Sequence, residues 1–366
     1  MTSVSLVNVS KVFGKTTKVL EGLDLHVEAG ELMVLLGPSG SGKSTILRLV
    51  AGLDEPTEGR VFFDDEDVTD WPTRNRNVAM VQQDGALYTH LSAGDNIRFP
   101  LIRRKVPKQD RDQQVETGAS HLGIRALLEM MPGELSAGHR HSVATARALV
   151  RESRVLLMDE PLALLDAQIR GRTRVEIARL HQEMGTTTLY VTNDQHEAMA
   201  LGDRVAILDE AGTLRQVDAP LEIYRYPRSL FVADFVGELN YTTVRLERDS
   251  DGWWLPLGND RFMLDPAVLA ASPRLETHEG HDLIVGIRPE HLGVASPGTP
   301  FVSCLHGMVD RVDDVGSFAD IWATVGEWRI KARLSGGRLP VGGNLIELMG
   351  SPQHLHFFEP ETGERI

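Results

Sequence analysis

A phosphate-binding loop is the clearest chemical signal in the sequence. It comprises Gly37, Pro38, Ser39, Gly40, Ser41, Gly42, Lys43, Ser44 and Thr45. Glycines let the backbone adopt positive φ and bring its N–H groups close to phosphate oxygens. The Lys43 ammonium can reach the β- and γ-phosphates of a nucleotide, and the Ser44 hydroxyl can bind Mg²⁺. The spacing of these residues therefore predicts that the chain binds ATP with Mg²⁺.

An acidic pair supplies the second chemical signal. Asp159 and Glu160 directly follow the apolar run 155–158, which is typical of a buried strand. A carboxylate at the end of such a strand can hold Mg²⁺ through water, and the next one can polarise an attacking water as a general base. We therefore expect Asp159 to be the metal-side carboxylate and Glu160 to be the catalytic base.

The segments around the loop have the order that phosphate binding requires. The run 32–36 is continuously apolar and predicts a buried strand, and a helical pattern begins near Lys43. The helix N-terminus would add unpaired N–H groups and the positive end of its dipole. Upstream, Phe13 is expected to stack on the adenine ring, with an ordinary core phenylalanine as the alternative.

Two kinds of pattern predict the fold class. Strands of buried type at 155–158 and 187–192 flank a helical stretch, which indicates a parallel sheet, and alternating residues near the N-terminus indicate an antiparallel lobe. The segment 88–152 is predicted to form a helical subdomain. After Gly237, short alternating strands predict a small barrel. We therefore expect an α/β P-loop ATPase domain with a mixed sheet at 1–236 and an all-β, OB-like barrel domain at 237–366.

The composition restricts the class of protein. The 366 residues carry a net charge of −14, which argues against a nucleic-acid-binding surface, and the hydrophobic content of 42% is typical of globular proteins. We find no uncharged apolar run long enough to cross a bilayer and no signal-peptide pattern. The single cysteine, Cys304, excludes an internal disulfide and suits a reducing cytosol. If the protein works at a membrane, partners are expected to hold it there.

Three further segments resemble ATP-binding cassette proteins. The segment 134–140, which contains Leu-Ser-Ala-Gly-His, resembles their signature loop and precedes the acidic pair. The segment 80–91 resembles the glutamine loop of the carbohydrate-importer branch. The segment 286–292 resembles the C-terminal regulatory barrel domain of that branch, whose members include importers of maltose and glycerol-3-phosphate. This resemblance implies an importer ATPase subunit that energises uptake of a sugar or related solute.

The resemblance also implies partners and residue roles. Gln83 would bind Mg²⁺ and sense the γ-phosphate, and two copies of the chain would form a homodimer around two ATP molecules. The residues implied to complete the partner's site in trans are Ser136, Ala137, Gly138, His139 and Asp166. The segment 88–91, from Tyr88 to Leu91, would contact one of two transmembrane permease subunits at the cytoplasmic face of the membrane. An extracytoplasmic solute-binding protein is also expected, and a nucleic-acid partner is not.

The sequence departs from the usual family pattern at positions that concern the chemistry. Ala137 and His139 stand where the signature loop usually has glycine and glutamine, and the segment 162–165 lacks two polar residues usual after the acidic pair. Asn193 stands where the family has a switch histidine. An asparagine can donate a hydrogen bond to the γ-phosphate, but it is shorter than histidine and carries no proton. We therefore expect a slow ATPase with Lys43, Glu160 and Asn193 at the reaction centre.

Two other functions remain open at this point. The departures motivate one alternative, a degenerate cassette that mainly binds ATP and regulates a different, catalytic cassette beside it. A soluble cassette protein that acts on nucleic acid or ribosomes is opposed by the acidic charge and by the segment 88–91. The number of kinds of cassette that co-purify with the permease would distinguish the degenerate cassette from the importer ATPase subunit.

Overall fold

The computed structural model describes residues 1–14, 16–294, 304–336 and 339–366. They form two compact units, Met1–Glu222 and Ile223–Ile366. The strands of the first unit are β1 (Val4–Phe13), β2 (Thr17–Val27), β3 (Leu32–Leu36), β4 (Glu58–Phe63), β5 (Glu66–Asp67), β6 (Val78–Val81), β7 (Val155–Asp159), β8 (Thr187–Thr192), β9 (Arg204–Leu208) and β10 (Leu214–Asp218). Its helices are α1 (Lys43–Ala51), α2 (Thr73–Arg76), α3 (Ala93–Arg103), α4 (Lys108–His121), α5 (Ala137–Leu149), α6 (Ala167–Met184) and α7 (Gln195–Leu201).

A six-stranded sheet positions the predicted site. Its order is β10-β9-β3-β8-β7-β6, in which all strands run parallel except β10. The strands β3, β7 and β8 are buried along their whole length, which explains why β3 and most of β7 are continuously apolar and why β8 combines apolar residues with threonines rather than charged ones. Because parallel strands end at the same edge of a sheet, the residues that follow these three strands come together there.

Two smaller parts complete the first unit. The strands β1, β2, β4 and β5 form an antiparallel sheet in the order β2-β1-β4-β5. The helices α3, α4 and α5 lie within 88–152 and pack on one another around a separate apolar core, which includes Ala93, Ile97, Leu101, Val115 and Val143. The predicted combination of a mixed sheet, an antiparallel lobe and a helical part is confirmed. No helix in the described part of the chain is long and apolar enough to span a membrane.

Short helices and many short strands form the second unit. Its helices are α8 (Pro220–Arg225, which begins in the first unit), α9 (Leu230–Phe235) and α10 (Pro266–Ala271). Its strands are β11 (Asn240–Arg245), β12 (Glu247–Asp249), β13 (Gly252–Leu257), β14 (Asp260–Met263), β15 (Asp282–Ile287), β16 (Leu292–Val294), β17 (Cys304–Asp314), β18 (Ala319–Val325), β19 (Trp328–Leu334), β20 (Leu345–Gly350) and β21 (His356–Phe358).

The strands of the second unit form antiparallel sheets around one core. The sheet orders are β11-β15-β21, β12-β13-β14 and β16-β20-β17-β18-β19. Their inward residues share a buried cluster that includes Leu246, Leu255, Leu283, Ile321 and Leu348. The predicted all-β, OB-like domain is thereby confirmed. Trp253 lies in this cluster, whereas Trp322 is half-buried and lies outside it.

Candidate functional site

The phosphate-binding loop connects β3 to α1 in a conformation that needs its glycines. Gly42 precedes α1 with a φ of 86°, and a Cβ there would come within 2.8 Å of a Leu20 methyl carbon. A Cβ on Gly37 would come within 2.6 Å of the Leu208 carbonyl oxygen. Larger residues at these two positions would therefore displace the loop from the sheet edge, where its N–H groups form an anion-binding helix start.

Lys43 is buried at the start of α1 and folds back over the loop. Its Nζ donates hydrogen bonds to the carbonyl oxygens of Gly37 at 2.8 Å and Pro38 at 2.7 Å, and to the Ser41 hydroxyl at 3.2 Å. Burial lowers the pKa of the Lys43 ammonium, and the nearby carboxylates of Glu160 and Asp159 oppose that shift. The ammonium is therefore held by neutral oxygens at the place where phosphate oxygens would compete for it.

Ser44 and Asp159, the two residues that the sequence predicts on the metal side, are in direct contact. The Ser44 hydroxyl donates to Oδ1 of Asp159 at 2.8 Å, and Asp159 ends β7 with only 7% of its surface exposed. Burial raises the pKa of the Asp159 carboxyl, while the Ser44 hydrogen bond and the Lys43 charge oppose that rise. A hydroxyl and a single carboxylate suit Mg²⁺, which is usually held by few protein oxygens together with water and substrate phosphates. The donor set therefore fits Mg²⁺.

Glu160 occupies an unusual backbone conformation immediately after β7. Its φ is +47°, which few residues other than glycine adopt, and its N–H donates to the Val191 carbonyl oxygen at 3.0 Å. Such strain persists where the surrounding structure fixes it, often at functional positions. The carboxylate Oε2 accepts a hydrogen bond from the Gln83 amide at 3.0 Å. The predicted base and the predicted γ-phosphate sensor are thus in direct contact.

The side chains of Lys43, Ser44, Gln83 and Glu160 line one cavity of about 400 Å³, and Asp159 lies behind Ser44 outside the lining. Its lining residues are Val19, Ser39, Gly40, Gly42, Lys43, Ser44, Thr45, Gln83 and Glu160. This volume is within the range of small-ligand pockets. The sequence did not single out Val19, because one valine among alternating strand residues carries no chemical signal.

Phe13, the predicted adenine platform, lies outside this lining. It is the last residue of β1, 41% of its surface is exposed, and the Lys11 ammonium lies 4.9 Å from its ring centre. It is therefore not a core residue, which was the alternative that the sequence left open. Stacking on adenine stays a prediction.

Asn193 follows β8 beside the strands that carry the other groups. Thr192 pairs with Leu36, the residue before the loop, and Val191 pairs with Asp159. The Asn193 side chain is exposed. The register therefore directs this residue to the same sheet edge as the phosphate-binding loop and the acidic pair.

A buried acid that sequence reasoning missed supports the turn at Asn193. The Glu197 carboxylate accepts hydrogen bonds from the Thr192 hydroxyl at 2.8 Å and the Tyr190 hydroxyl at 3.0 Å. Asp194 caps α7 by accepting from the Glu197 N–H at 3.1 Å. The sequence signal for this arrangement was that two acidic residues, Asp194 and Glu197, follow Thr192 closely along the chain.

The signature segment and Asp166 lie outside the nucleotide cavity of their own chain. Ser136 caps α5 by accepting from the His139 N–H at 3.2 Å, and Ala137 is exposed. Asp166 caps α6 in the same way, with bonds of 3.1 and 3.0 Å. A Cβ on Gly138 would come within 3.1 Å of a Leu165 methyl carbon. The two helix starts are therefore adjacent, on a surface that does not contribute to the cavity described above.

A groove of about 960 Å³ adjoins the segment 88–91. The Tyr88 ring packs on Phe99 at 4.8 Å between centres, and the Arg147 guanidinium lies 5.4 Å from the Tyr88 ring centre. Five arginines line the groove: Arg74, Arg103, Arg104, Arg147 and Arg151. Tyr88, which is 42% exposed, therefore lies in a basic groove that the acidic overall charge of the chain did not reveal.

Comparison with known proteins gives consistent matches. The family model described as ABC transporter matches residues 20–163. The sulfoquinovosyl glycerol transport ATP-binding protein of Agrobacterium fabrum is 42% identical over 100% of both chains. The trehalose/maltose import ATP-binding protein of Thermococcus litoralis is 40% identical, and an sn-glycerol-3-phosphate import ATP-binding protein of Cupriavidus necator is 37% identical, again over 100% of both chains.

A solved structure matches the first part of the chain. It is the dimeric post-hydrolysis state of an ATP-binding cassette bound to ADP and phosphate. The TM-score is 0.55 at 29% identity, and the match covers 59% of this chain and 98% of the other.

Proposed function

The chain belongs to the ABC transporter family, as an ATP-hydrolysing subunit of its carbohydrate-importer branch, and we propose that it works slowly, as a homodimer, to drive uptake of a sugar or related solute. The observation that carries the proposal is the joint cavity of Lys43, Ser44, Gln83 and Glu160. We assign 1–236 to the nucleotide-binding domain and 237–366 to a regulatory barrel domain as part of the same proposal.

Each residue of the cavity has a role that its contacts support. The loop N–H groups and the Lys43 ammonium bind the β- and γ-phosphates. For this, the Lys43 ammonium leaves the loop carbonyl oxygens to which it donates in the structure. Ser44 and Gln83 would hold Mg²⁺ directly, and Asp159 would hold it through water. When bound there, Mg²⁺ would supply positive charge beside the phosphate oxygens. Glu160 accepts the proton of the attacking water, with its position fixed by the backbone and by Gln83.

The slow rate follows from the side chain at position 193. An asparagine amide can donate one hydrogen bond to the γ-phosphate, but its shorter reach places that donor farther from the reacting group than an imidazole would. Hydrogen bonds that strengthen only in the transition state determine turnover. Asn193 therefore limits hydrolysis without abolishing it, because Lys43, Asp159 and Glu160 are retained.

A second copy of the chain completes the nucleotide site. Ser136, Ala137, Gly138, His139 and Asp166 act in trans on the partner's nucleotide. Two features support this role: these residues lie at exposed helix starts outside their own cavity, and a related cassette forms a dimer with ADP and phosphate. A helix start with a serine cap offers N–H groups to an anion. Closure of the dimer around ATP would supply the free energy for the permease to change state.

The basic groove at Tyr88 binds the permease. A groove of about 960 Å³ with an aromatic pair and several arginines can accept a short helix that carries carboxylates or ends in free carbonyl oxygens. Two permease subunits would hold the ATPase dimer at the cytoplasmic face of the membrane, and an extracytoplasmic protein would deliver the solute.

Purification of the complete transporter tests the proposal. We expect a complex with one kind of cassette, ATP-dependent solute uptake in proteoliposomes, and loss of uptake in Glu160→Gln. A complex with a second, different cassette whose own base carries the activity would instead support the alternative degenerate, ATP-binding role that Ala137, His139 and Asn193 raise. Uptake that survives Glu160→Gln in a complex with one kind of cassette would refute the assigned mechanism.

A further inference from the structure

A second cavity, of about 270 Å³, lies in the barrel unit. Its lining includes two aromatic side chains, Tyr241 and Trp322, and four charged ones, Asp234, Glu238, Arg329 and Lys331. All of them belong to the second compact unit, and none has a role in the proposed chemistry. The cavity is slightly smaller than pockets for drug-sized ligands, so it suits a molecule of about one sugar ring.

The Trp322 ring lies on the outer side of the barrel sheet. Its neighbours along β18, Ile321 and Ala323, are fully buried in the core, and successive strand residues point to opposite faces. Trp322 is half-buried, and Lys331 is its direct cross-strand partner on β19. Core packing therefore does not require an aromatic ring at this position. The ring lines the cavity together with the 46% exposed Tyr241, and the cationic groups of Arg329 and Lys331 each lie 5.3 Å from the ring centre.

The cations of the cavity already have acidic partners. The Lys331 ammonium donates to both carboxylate oxygens of Glu238, at 2.9 and 2.7 Å, and lies 2.7 Å from a carboxylate oxygen of Asp320. The Arg329 guanidinium lies 3.8 Å from a carboxylate oxygen of Asp310. An anionic ligand would have to displace these carboxylates and would also meet Asp234 in the lining. The site is therefore unfavourable for phosphate or sulfate groups.

A cationic or wholly apolar ligand fits no better. Arg329 and Lys331 would repel a cation, and an apolar molecule would cover charged groups without offering them hydrogen bonds. A neutral molecule with several hydroxyl groups can form hydrogen bonds with both the acidic and the basic side chains that line the cavity. Its hydroxyls can donate to Asp234 and Glu238 and accept from Tyr241 and Arg329, while a C–H face covers the Trp322 ring.

We propose that this cavity is a binding site for an uncharged sugar or polyol of about one ring, held between the Trp322 ring and the polar groups of Asp234, Glu238 and Tyr241. The inference goes beyond the proposed function and does not depend on it, because binding is measured on the full chain without nucleotide or permease. Failure of ATP hydrolysis would leave it intact, and failure of sugar binding would leave the ATPase assignment intact.

Titration calorimetry and tryptophan fluorescence on the full-length protein test the site. The neutral probes are glucose, galactose, inositol and glycerol, and the anionic probes are glucose 6-phosphate and inorganic phosphate. We expect saturable binding of at least one neutral probe and weaker or undetectable binding of the anionic ones. No saturable binding of any neutral probe, or tighter binding of the anionic probes, would overturn the proposal.

Matched variants test the location of the site. Tyr241→Phe removes one hydroxyl from an exposed side chain and should weaken binding about fivefold, the loss expected for one hydrogen bond. Trp322→Leu should weaken it by more than about tenfold, because the aromatic surface is lost. Tyr226→Phe, at an exposed tyrosine of the same unit outside the lining, should leave affinity unchanged. Equal affinities in Tyr241→Phe, Trp322→Leu and Tyr226→Phe would overturn the proposal even if a sugar binds.

Discussion

Replacing Asn193 with histidine should raise the rate of ATP hydrolysis. Position 193 follows β8 directly, where Thr192 pairs with the last residue before the phosphate-binding loop. Two hydrogen bonds hold the turn there: the Thr192 hydroxyl donates to the Glu197 carboxylate, and the Glu197 N–H donates to the Asp194 carboxylate. The backbone should therefore keep its position after the change. The side chain is exposed, and an imidazole can be accommodated without rearranging the core.

The size of the effect follows from one charge-assisted hydrogen bond. A bond to a charged group contributes about 1.5–3 kcal/mol, which corresponds to roughly 10- to 100-fold in rate if the bond forms only in the transition state. The asparagine amide already supplies part of this interaction. We therefore expect Asn193→His to raise turnover about tenfold, at the lower end of that range.

Phosphate release by the assembled transporter at saturating ATP and Mg²⁺ is the assay. The increase should appear in kcat, with little change in KM, because ground-state binding of ATP depends mainly on the loop. His196→Asn is the matched control: the His196 side chain is 92% exposed and lies 3.8 Å from Asp194, so its removal should not change the rate. An unchanged or lower kcat in Asn193→His, with ATP binding intact, would refute the proposal that Asn193 limits the rate of hydrolysis.

Four further outcomes are expected. Glu160→Gln should lower turnover by about 10²- to 10⁴-fold while retaining ATP binding, as measured with a fluorescent nucleotide; an unaffected rate would exclude Glu160 as the base. Ser44→Ala should raise the Mg²⁺ concentration that supports half-maximal hydrolysis, whereas a change limited to the maximal rate would contradict a metal ligand. Arg76→Met should lower the free energy of unfolding by about 3 kcal/mol in denaturant titrations, because Arg76 donates four hydrogen bonds to backbone carbonyl oxygens. An unchanged free energy of unfolding would show that water replaces these hydrogen bonds. Burial lowers the pKa of His356 to about 3. As the pH falls below about 6.5, the unfolded chain therefore binds a proton at this histidine before the folded chain does. The free energy of unfolding should fall accordingly, by up to about 2 kcal/mol at about pH 5. Thermal melts of His356→Leu should show a weaker pH dependence, and equal slopes would contradict this assignment.

Local motifs carried most of the functional prediction. The phosphate-binding loop and the acidic pair are contiguous in sequence, and each follows an apolar strand, so their chemistry could be predicted without any tertiary contact. The comparisons confirm the predicted family, the importer branch and the fold class. The roles of the trans residues and of Asn193 stay predictions, because they depend on a second chain and on the reacting phosphate.

Several features depended on contacts that no local pattern encodes. Arg76 is fully buried, with its hydrogen bonds directed at carbonyl oxygens near the end of α1 and the start of α2, although an arginine in a polar turn predicts exposure. Two tryptophans of the barrel also differ in their burial, and no local sequence pattern predicts which one is buried. Trp253 joins the core, and Trp322 lies on the outer face, because alternate residues of a strand point to opposite sides of a sheet.

The sequence by itself determined the phosphate chemistry, since a loop of fixed spacing between a strand and a helix binds phosphate mainly through its own backbone. Only the tertiary structure decided which distant groups meet that loop. Parallel pairing of β3, β8 and β7 brings Lys43, Asn193 and Glu160 to one sheet edge, and the turn after β6 adds Gln83. The tertiary structure also left Phe13 and the Asn193 side chain outside the cavity lining. The physical reason is that strand register and burial depend on the packing of the whole domain, whereas a phosphate-binding loop depends on the backbone conformation of a few consecutive residues.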